Sequence, residues 1–309
     1  DKGANIHDRD QNGATALHIA AQNGHENVVK LLLDRGANVH DKNNSGATAL
    51  HIAAPNGHEN VVKLLLDRGT NIHAKINNGA TALHLFAHHG HENVAKLLVD
   101  KDANIHDRNN NGATALHFAA QNGHENVVRL LLDKGAKIYD KNNNGYTALY
   151  IAAANGHENL VRLLLDQGAQ NDDEHNDGWT ALHRAAGNGH EHVVELLLYK
   201  GANVLDKDNE GSTALHVAAM SGRVNVVQVL LDKGISMDDR DNDGDTALHV
   251  AVEAGHENVV VALLDRGVNI HATNNLGETA LRCAATNNND NVLGLLLEMA
   301  SRQLPAPLY

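Results

Sequence analysis

Histidine is the residue type that first suggests chemistry in this sequence, because 23 of the 309 residues are histidine. Imidazole is a common metal ligand and a ready general acid or base near neutral pH. Most of these histidines, however, recur with a period of 33 residues. One series closes a Thr-Ala-Leu-His tetrad, at His18, His51, His84, His117, His183, His216 and His249. The other follows a glycine, at His25, His58, His91, His124, His157, His190 and His256.

Motifs for catalysis or metal binding are missing from the sequence. The segment His25–Val29 lacks the second histidine of the zinc motif His-Glu-x-x-His, and no Gly-Lys pair or Gly-x-Ser-x-Gly elbow occurs. A third histidine series, at His7, His40, His73 and His106, is spread over copies expected to lie about 10 Å apart, too far for shared ligation of zinc at about 2.0–2.1 Å. We therefore predict no catalytic residue, no metal, no cofactor and no small-molecule substrate.

The repeat behind this spacing covers almost the whole chain. A tetrad that begins Thr-Ala-Leu occurs nine times, always 33 residues apart, from Thr15 to Thr279. A fixed period of this length predicts a stacked array rather than separate globular domains. We place the copies at 10–42, 43–75, 76–108, 109–141, 142–174, 175–207, 208–240, 241–273 and 274–302. Residues 1–9 are interpreted as the end of a truncated preceding copy, and 303–309 as a C-terminal tail.

Each copy carries the signals for two helices. In the first copy Thr15 is a candidate N-cap, and Gly24 ends the short helix because glycine readily adopts the left-handed conformation. Glu26 favours the start of a second helix, where a carboxylate complements the helix dipole. Gly36 stops that helix, and the chain then runs through an extended finger with a turn to the next copy.

These residues resemble the ankyrin repeat. Its blocks Gly-x-Thr-Pro-Leu-His-x-Ala-Ala, Gly-His and Val-Val-x-Leu-Leu-Leu-x-x-Gly-Ala appear almost in register over residues 1 to about 300, with alanine in place of the proline in every copy. The resemblance implies an all-α solenoid of stacked helix-turn-helix units with β-hairpin-like finger loops. It also implies structural roles for the first two histidine series. The function that the resemblance implies is that of a non-catalytic scaffold, which binds a partner protein in a concave groove.

Composition restricts the partners. The chain has 38 Asp and Glu residues and 25 Lys and Arg residues, which gives a formal charge of −13. This negative charge disfavours nucleic acid and anionic membranes as partners. The longest apolar run, Ala148–Ala154, is far shorter than the roughly 20 residues of a membrane span. The single Cys283 excludes a disulfide framework and fits the cytoplasm or another reducing intracellular compartment, including a host cytosol reached by a secreted effector.

Two further accounts of the function remain open. The chain is alternatively the substrate- or target-recruiting arm of a larger multidomain enzyme, channel or bacterial effector, which a flanking domain would reveal. A third account is an engineered consensus-like scaffold, which the near-identity of the copies allows. Irregular changes such as Pro55 and Phe86 favour natural duplication with drift. The more polar ninth copy, where Arg282 replaces the histidine, is expected to act as a cap.

Function in such an array is expected where the copies differ, and three positions differ. The first immediately precedes the tetrad, the second immediately follows it, and the third lies near the end of the first helix. We call the surface formed by these positions the variable surface. Because Trp, Tyr and Arg dominate interface energetics, we predict partner contacts from the large side chains at or near it: Phe118, Tyr139, Tyr146, Trp179, Arg184 and Met220. Neutral drift in a duplicated array is the alternative.

Charge is also unevenly distributed. The fingers at 172–177, 206–210 and 238–245 carry a net charge of −10, whereas the five fingers before them sum to zero. We define an acidic strip with the members Asp172, Asp173, Asp177, Asp208, Glu210, Asp241, Asp243 and Asp245. It is predicted to accelerate capture of a basic partner segment in a salt-sensitive way. The alternative is an acidic surface that only aids solubility.

Overall fold

The computed structural model describes residues 5–172, 176–287 and 289–303, and these form eighteen α-helices and no strand. A short first helix follows each tetrad threonine: α1 Ala16–Gln22, α3 Ala49–Ile52, α5 Ala82–His88, α7 Ala115–Gln121, α9 Ala148–Ala154, α11 Ala181–Asn188, α13 Ala214–Met220, α15 Ala247–Glu253 and α17 Ala280–Thr286. A second helix completes each copy: α2 Glu26–Asp34, α4 Glu59–Asp67, α6 Glu92–Asp100, α8 Glu125–Asp133, α10 Glu158–Asp166, α12 Glu191–Tyr199, α14 Val224–Asp232, α16 Glu257–Asp265 and α18 Asp290–Gln303. The two-helix copy predicted from the sequence is therefore confirmed.

The contacts divide the chain into two compact units, of which the first ends at Ile151 and the second begins at Ala152. In the first unit, first helices pack on first helices of the next copy, as α5 does on α7, and second helices on second helices, as α6 does on α8. The second unit repeats the scheme, with α13 on α15 and α14 on α16. Small and branched side chains fill the layers between copies.

The core needs few large rings because each layer is thin. On α7, Leu116, Ala119 and Ala120 are buried, and Val127 and Leu131 on α8 are fully covered. The alanines let neighbouring first helices approach closely, and the branched residues of the second helices fill the remaining space. This packing explains a large chain with an aromatic content of 3%.

The fingers are hairpin-like turns that asparagine residues link to one another by hydrogen bonds. In the fourth copy the backbone N–H of Asn109 donates to the carbonyl of Ala113 and closes the turn. Asn110 reaches the preceding finger twice, through its backbone N–H to Asn78 at 2.9 Å and through Nδ2 to Asn77 at 3.1 Å. The same pair of bonds recurs at Asn44, Asn77, Asn143, Asn209, Asn242 and Asn275. This asparagine ladder fixes the spacing of the fingers within each unit.

Two local departures follow from single residues. Pro55 interrupts the first helix of the second copy, which continues as a 3-10 turn over Ala54–Asn56, since proline has no N–H to donate and its ring clashes in an α-helix. Just after α6, Asp102 adopts a φ of 67° where seven of the other copies have glycine. Aspartate tolerates this left-handed conformation better than most residues do.

Candidate functional site

The tetrad histidines join each first helix to the next finger. Nδ1 of His18 accepts the backbone N–H of Thr15 at 3.1 Å, and Nε2 lies 3.0 Å from the carbonyl oxygen of Ala47 in the next copy. Equivalent bonds are made at His84, His117, His183, His216 and His249. In the second copy Nε2 of His51 instead reaches the carbonyl of Ala74, also at 3.0 Å. The structural role implied for this series is confirmed.

This geometry fixes the protonation state of the ring. A backbone N–H can only donate, so Nδ1 of His18 must be the unprotonated nitrogen, and Nε2 must carry the hydrogen that it donates to Ala47. The Thr15 hydroxyl also lies 2.9 Å from Nδ1, and a second proton on this nitrogen would abolish its bond from the Thr15 N–H. The imidazole is therefore held neutral, in one tautomer, with both nitrogens in use.

Burial pushes the titration of these rings in the same direction. Loss of hydration of the charged form is the main cause that lowers the pKa of His51 to about 4, from an ordinary value of 6.5. The same cause lowers the pKa of five further tetrad histidines: His18, His84, His117, His183 and His216. A carbonyl that accepts from Nε2 works against this shift in each case but is outweighed by burial.

The turn histidines form a second set of links, which run back to the preceding copy. Nε2 of His124 lies 2.9 Å from the carbonyl oxygen of His88, and Nε2 of His256 lies 2.9 Å from that of Met220. Equivalent bonds are made at His58, His91 and His190. In the seventh copy Arg223 occupies the histidine position, and its Nε donates to the carbonyl of Gly187 at 2.9 Å.

Together these links, which we call the histidine frame, hold the backbone of the variable surface. Apart from His51, the tetrad histidines bind the carbonyl of the residue before the next tetrad, as His117 binds that of Tyr146 and His216 that of Asp245. The turn histidines bind the carbonyl of the residue near the end of the preceding first helix, as His256 binds that of Met220. The variable positions therefore make the same backbone contact in these copies, although their side chains differ.

The three variable positions meet on one face of the copies where their contacts are resolved. In the first unit Ala14, Ile19 and Gln22 line one shallow hollow with Ile52 of the next copy. In the second unit a Cβ atom added at Gly187 would lie 3.7 Å from the indole of Trp179. Within these copies the variable positions therefore lie beside one another.

In the first unit the predicted contact residues differ in exposure. Phe118 is half-buried, and its ring meets that of His84 edge-on at a centroid distance of 5.3 Å. Tyr146, also half-buried, stacks on Tyr150 at 4.6 Å with an interplanar angle of 13°. Tyr139 lies on a finger with 65% of its surface exposed. The Tyr150 substitution for the tetrad histidine therefore supplies a stacking partner for Tyr146.

In the second unit Trp179 and Arg184 form a pair. The guanidinium carbon of Arg184 lies 4.8 Å from the centroid of the Trp179 ring, within range of a cation–π interaction. Both side chains are half-buried, and Met220, at a variable position of the next copy, is half exposed. Sequence variation pointed to each residue separately, but the stacking of one on the other is visible only in the structure.

The acidic strip is less uniform than its sequence suggests. Asp172, Asp177, Glu210 and Asp243 are exposed and Asp241 is half-buried, as a solvated strip requires. Asp208 and Asp245 depart from that expectation, with only 8% and 9% of their surface exposed. Asp173, like Glu174 and His175, lies outside the described residues.

Two strip members have a structural use that the sequence reading missed. Oδ1 of Asp208 accepts the backbone N–H groups of Glu210 and Ser212, and Oδ1 of Asp241 accepts those of Asp243 and Asp245. Asparagine makes the same turn at the equivalent position of other copies, for example Asn109. That alternation of Asn and Asp in one column was the available signal.

The finger histidines and the rest of the described chain offer no metal centre. His40, His73 and His106 are exposed, and their backbone N–H groups, rather than their rings, donate to the asparagine two residues earlier. Among the residues that the structure describes, no group of three or more His, Cys, Asp or Glu side chains is arranged to hold a metal ion. Within the same residues, no helix is both long and apolar enough to cross a membrane.

Comparison with known families agrees with this architecture. The sequence model described as ankyrin repeats, three copies to a model, matches in six overlapping segments: residues 2–76, 70–142, 137–208, 170–241, 202–274 and 237–304. These segments cover nearly the entire chain. Comparison with individual curated proteins gives no significant match.

Proposed function

The chain belongs to the ankyrin-repeat family, and from that membership we propose that it is a non-catalytic scaffold which binds a partner protein through its variable surface. Ankyrin repeats generally mediate protein–protein interaction. The observation that carries the proposal is the Trp179–Arg184 pair, which places two residue types that dominate interface energetics 4.8 Å apart on this surface.

The histidine frame supports the proposal from a second direction. Side chains at the variable positions change from alanine to tyrosine, serine or aspartate, while the carbonyls of these residues stay bound to a tetrad histidine. A surface whose backbone is already fixed loses less conformational freedom on binding, which favours affinity. Variation there changes what is recognised without disturbing how the copies stack.

The exposed members of the acidic strip support a partner with a basic segment. Asp172, Asp177, Glu210 and Asp243 all belong to the second unit, as Trp179 and Arg184 do. Opposite charges accelerate diffusional encounter, and salt screens them. We expect the association rate with the partner to fall steeply between low and physiological salt, with a smaller change in the dissociation rate.

A comparative pull-down tests the proposal. The wild-type chain is compared with a Trp179→Ala/Arg184→Ala variant and with a matched control, Tyr199→Ala/Arg162→Ala, on the second helices α10 and α12. Tyr199 is 80% exposed, so the control also removes an accessible ring and a cation. A partner retained by the wild type and the control but lost by the first variant supports the proposal. A partner retained by the first variant, or lost by both, contradicts it.

A further inference from the structure

The eighth and ninth copies gather carboxylates at the variable positions of the second unit. Asp245 precedes the eighth tetrad, Glu253 ends helix α15, and Glu278 precedes the ninth tetrad. Cys283 follows that ninth tetrad, so it occupies the remaining variable position. The corresponding positions of the first copy hold alanine, glutamine and isoleucine, whereas here they hold three carboxylic acids and a thiol.

One buried oxygen in this cluster has no hydrogen-bond partner. Oδ1 of Asp245 is shielded from solvent and makes no hydrogen bond, and the residue as a whole is 91% buried. A buried carboxylate is costly unless a donor or a cation satisfies it. The backbone of Asp245 is fully engaged, through its carbonyl to His216 and its N–H to Asp241, so the side chain cannot simply turn away with the backbone.

The carboxylates lie close enough for their charges to act on neighbouring groups. Burial and then the charges of Asp245, Asp241, Glu278 and Asp243 raise the pKa of Glu253. Burial and then Glu253, Glu278 and Asp245 raise the pKa of Cys283 to about 11. The surrounding carboxylates therefore disfavour a negative charge on Glu253 and on Cys283, which is the environment that a cation would relieve.

The positive charge already present is insufficient. Arg282 lies beside the cluster, with its Nε 3.2 Å from Oε1 of Glu278. Its side chain is two-thirds exposed, and the pair is a surface contact of small energetic weight. Arg282 thus neutralises one rim carboxylate and leaves Asp245 without a partner.

We propose that Asp245, Glu253 and Glu278 form a pocket for one cationic side chain, arginine or lysine, supplied by a protein partner. This inference rests on the proposed function because a partner protein supplies the cation. The evidence for the pocket itself is the buried Asp245 oxygen, which has no hydrogen-bond partner. A side-chain cation fits better than a metal ion, because the described part of the chain contains no cluster with metal-holding geometry. The pocket would fix the register of a basic segment that the acidic strip attracts.

Blocked pentapeptides with a central arginine, lysine or citrulline between glycines are the probes. They are titrated into the full chain while the backbone amide NMR signals of Glu253 and Cys283 are followed. We expect the arginine or the lysine peptide to shift both signals saturably, and the neutral citrulline peptide to leave them unchanged. Equal shifts with citrulline, or shifts confined to other residues, would overturn the pocket. So would saturation by calcium chloride that displaces the cationic peptide, because the site would then be a metal site.

Variants separate the pocket from general acidity. Asp245→Asn/Glu253→Gln should weaken binding of the cationic peptide by about tenfold or more, whereas Asp172→Asn/Glu210→Gln, which removes the same charge from exposed strip positions, should change the affinity by about twofold or less. Equal losses in the two variants would overturn the proposal. Because the peptide acts without the natural partner, a failed pull-down with successful peptide binding contradicts the proposed function and not the pocket.

The unliganded protein gives an independent readout. Removing a buried, unpartnered charge should stabilise the free chain, so Asp245→Asn is expected to raise the melting temperature by about 2 °C or more. A residue with a purely structural role would show the opposite sign. A lower melting temperature in Asp245→Asn would therefore contradict the assignment of Asp245 to a ligand pocket.

Discussion

Nε2 of His216 lies 3.1 Å from the carbonyl oxygen of Asp245, which immediately precedes the tetrad of the next copy. A residue that hardly varies between copies thus fixes the backbone of one that varies widely. A neutral ring is required for the bond on its other side, where Nδ1 of His216 accepts the N–H of Thr213 at 3.2 Å. Protonation, substitution and crowding of the histidine frame therefore have separate, measurable consequences.

Acidification should destabilise the fold through the tetrad histidines. The folded-state pKa values of six of them lie below the ordinary 6.5, so below pH 6.5 the unfolded chain binds protons that the folded chain does not. Stability is therefore complete above pH 6.5 and is lost as the pH falls toward 4. His51 alone, with a pKa of about 4, should cost about 2 kcal/mol between pH 8 and pH 5.

Urea midpoints measured from pH 8 to pH 5 check this expectation. Glu253 works in the opposite direction, because its pKa is raised, but it is one group against six histidines. The midpoint should fall continuously below pH 6.5. A midpoint that is flat or rises over this interval would show that the rings are not held neutral.

A substitution in the frame should cost far more than one on a finger. His84→Gln removes a ring that bonds Thr81 and the carbonyl of Ala113 in a buried site, with an expected loss of about 2–3 kcal/mol of unfolding free energy. The matched control is His106→Gln on an exposed finger, for which about 0.5 kcal/mol or less is expected. Chemical denaturation of both variants decides the matter, and comparable losses would argue against the frame.

The turn glycines are expected to differ from the glycines that end the second helices. Gly156 has a φ of 74°, and a Cβ atom there would lie 2.6 Å from Nδ1 of His190, a ring already bonded to Ala154. Gly168 has a φ of 93° with nothing within 4 Å of the same added atom. Alanine should cost about 1 kcal/mol of backbone strain at Gly168, and about 1–3 kcal/mol more at Gly156 because of the clash.

Thermal or urea denaturation of the two alanine variants measures the difference. Each carries the left-handed backbone cost, so subtracting one result from the other isolates the contact with the histidine ring. If Gly168→Ala proves as harmful as Gly156→Ala, the ring does not occupy the space above Gly156.

The repeat made the helices predictable from the sequence, whereas contacts between copies were less accessible. Thr15, Gly24 and Gly36 carry local capping and termination signals, and the helices begin and end beside them. Arg184 and Trp179 were each conspicuous in their columns, yet their stacking depends on the side-chain conformations of two positions five residues apart. Local sequence signals do not fix those conformations.

The burial of acidic side chains was the main feature that could not be predicted from the sequence. Asp208 and Asp243 look alike in the sequence, but one accepts two backbone N–H groups inside a turn and the other is exposed. The asparagine ladder was also overlooked, although Asn44 and Asn77 share a column that stays asparagine in all later copies. A recurring polar residue in a finger indicates a bond to its neighbour, just as a recurring histidine does.

The affinity of the captured partner for Trp179→Ala, compared with Tyr199→Ala, tests the central claim most directly. Titration calorimetry of both variants and the wild type supplies the three dissociation constants. If Trp179 anchors the partner on the variable surface, its loss should weaken binding about 30-fold, which corresponds to about 2 kcal/mol. Tyr199→Ala should then bind within about twofold of the wild type, since that ring lies on a second helix. Wild-type affinity in Trp179→Ala, or an equal loss in Tyr199→Ala, would contradict the account.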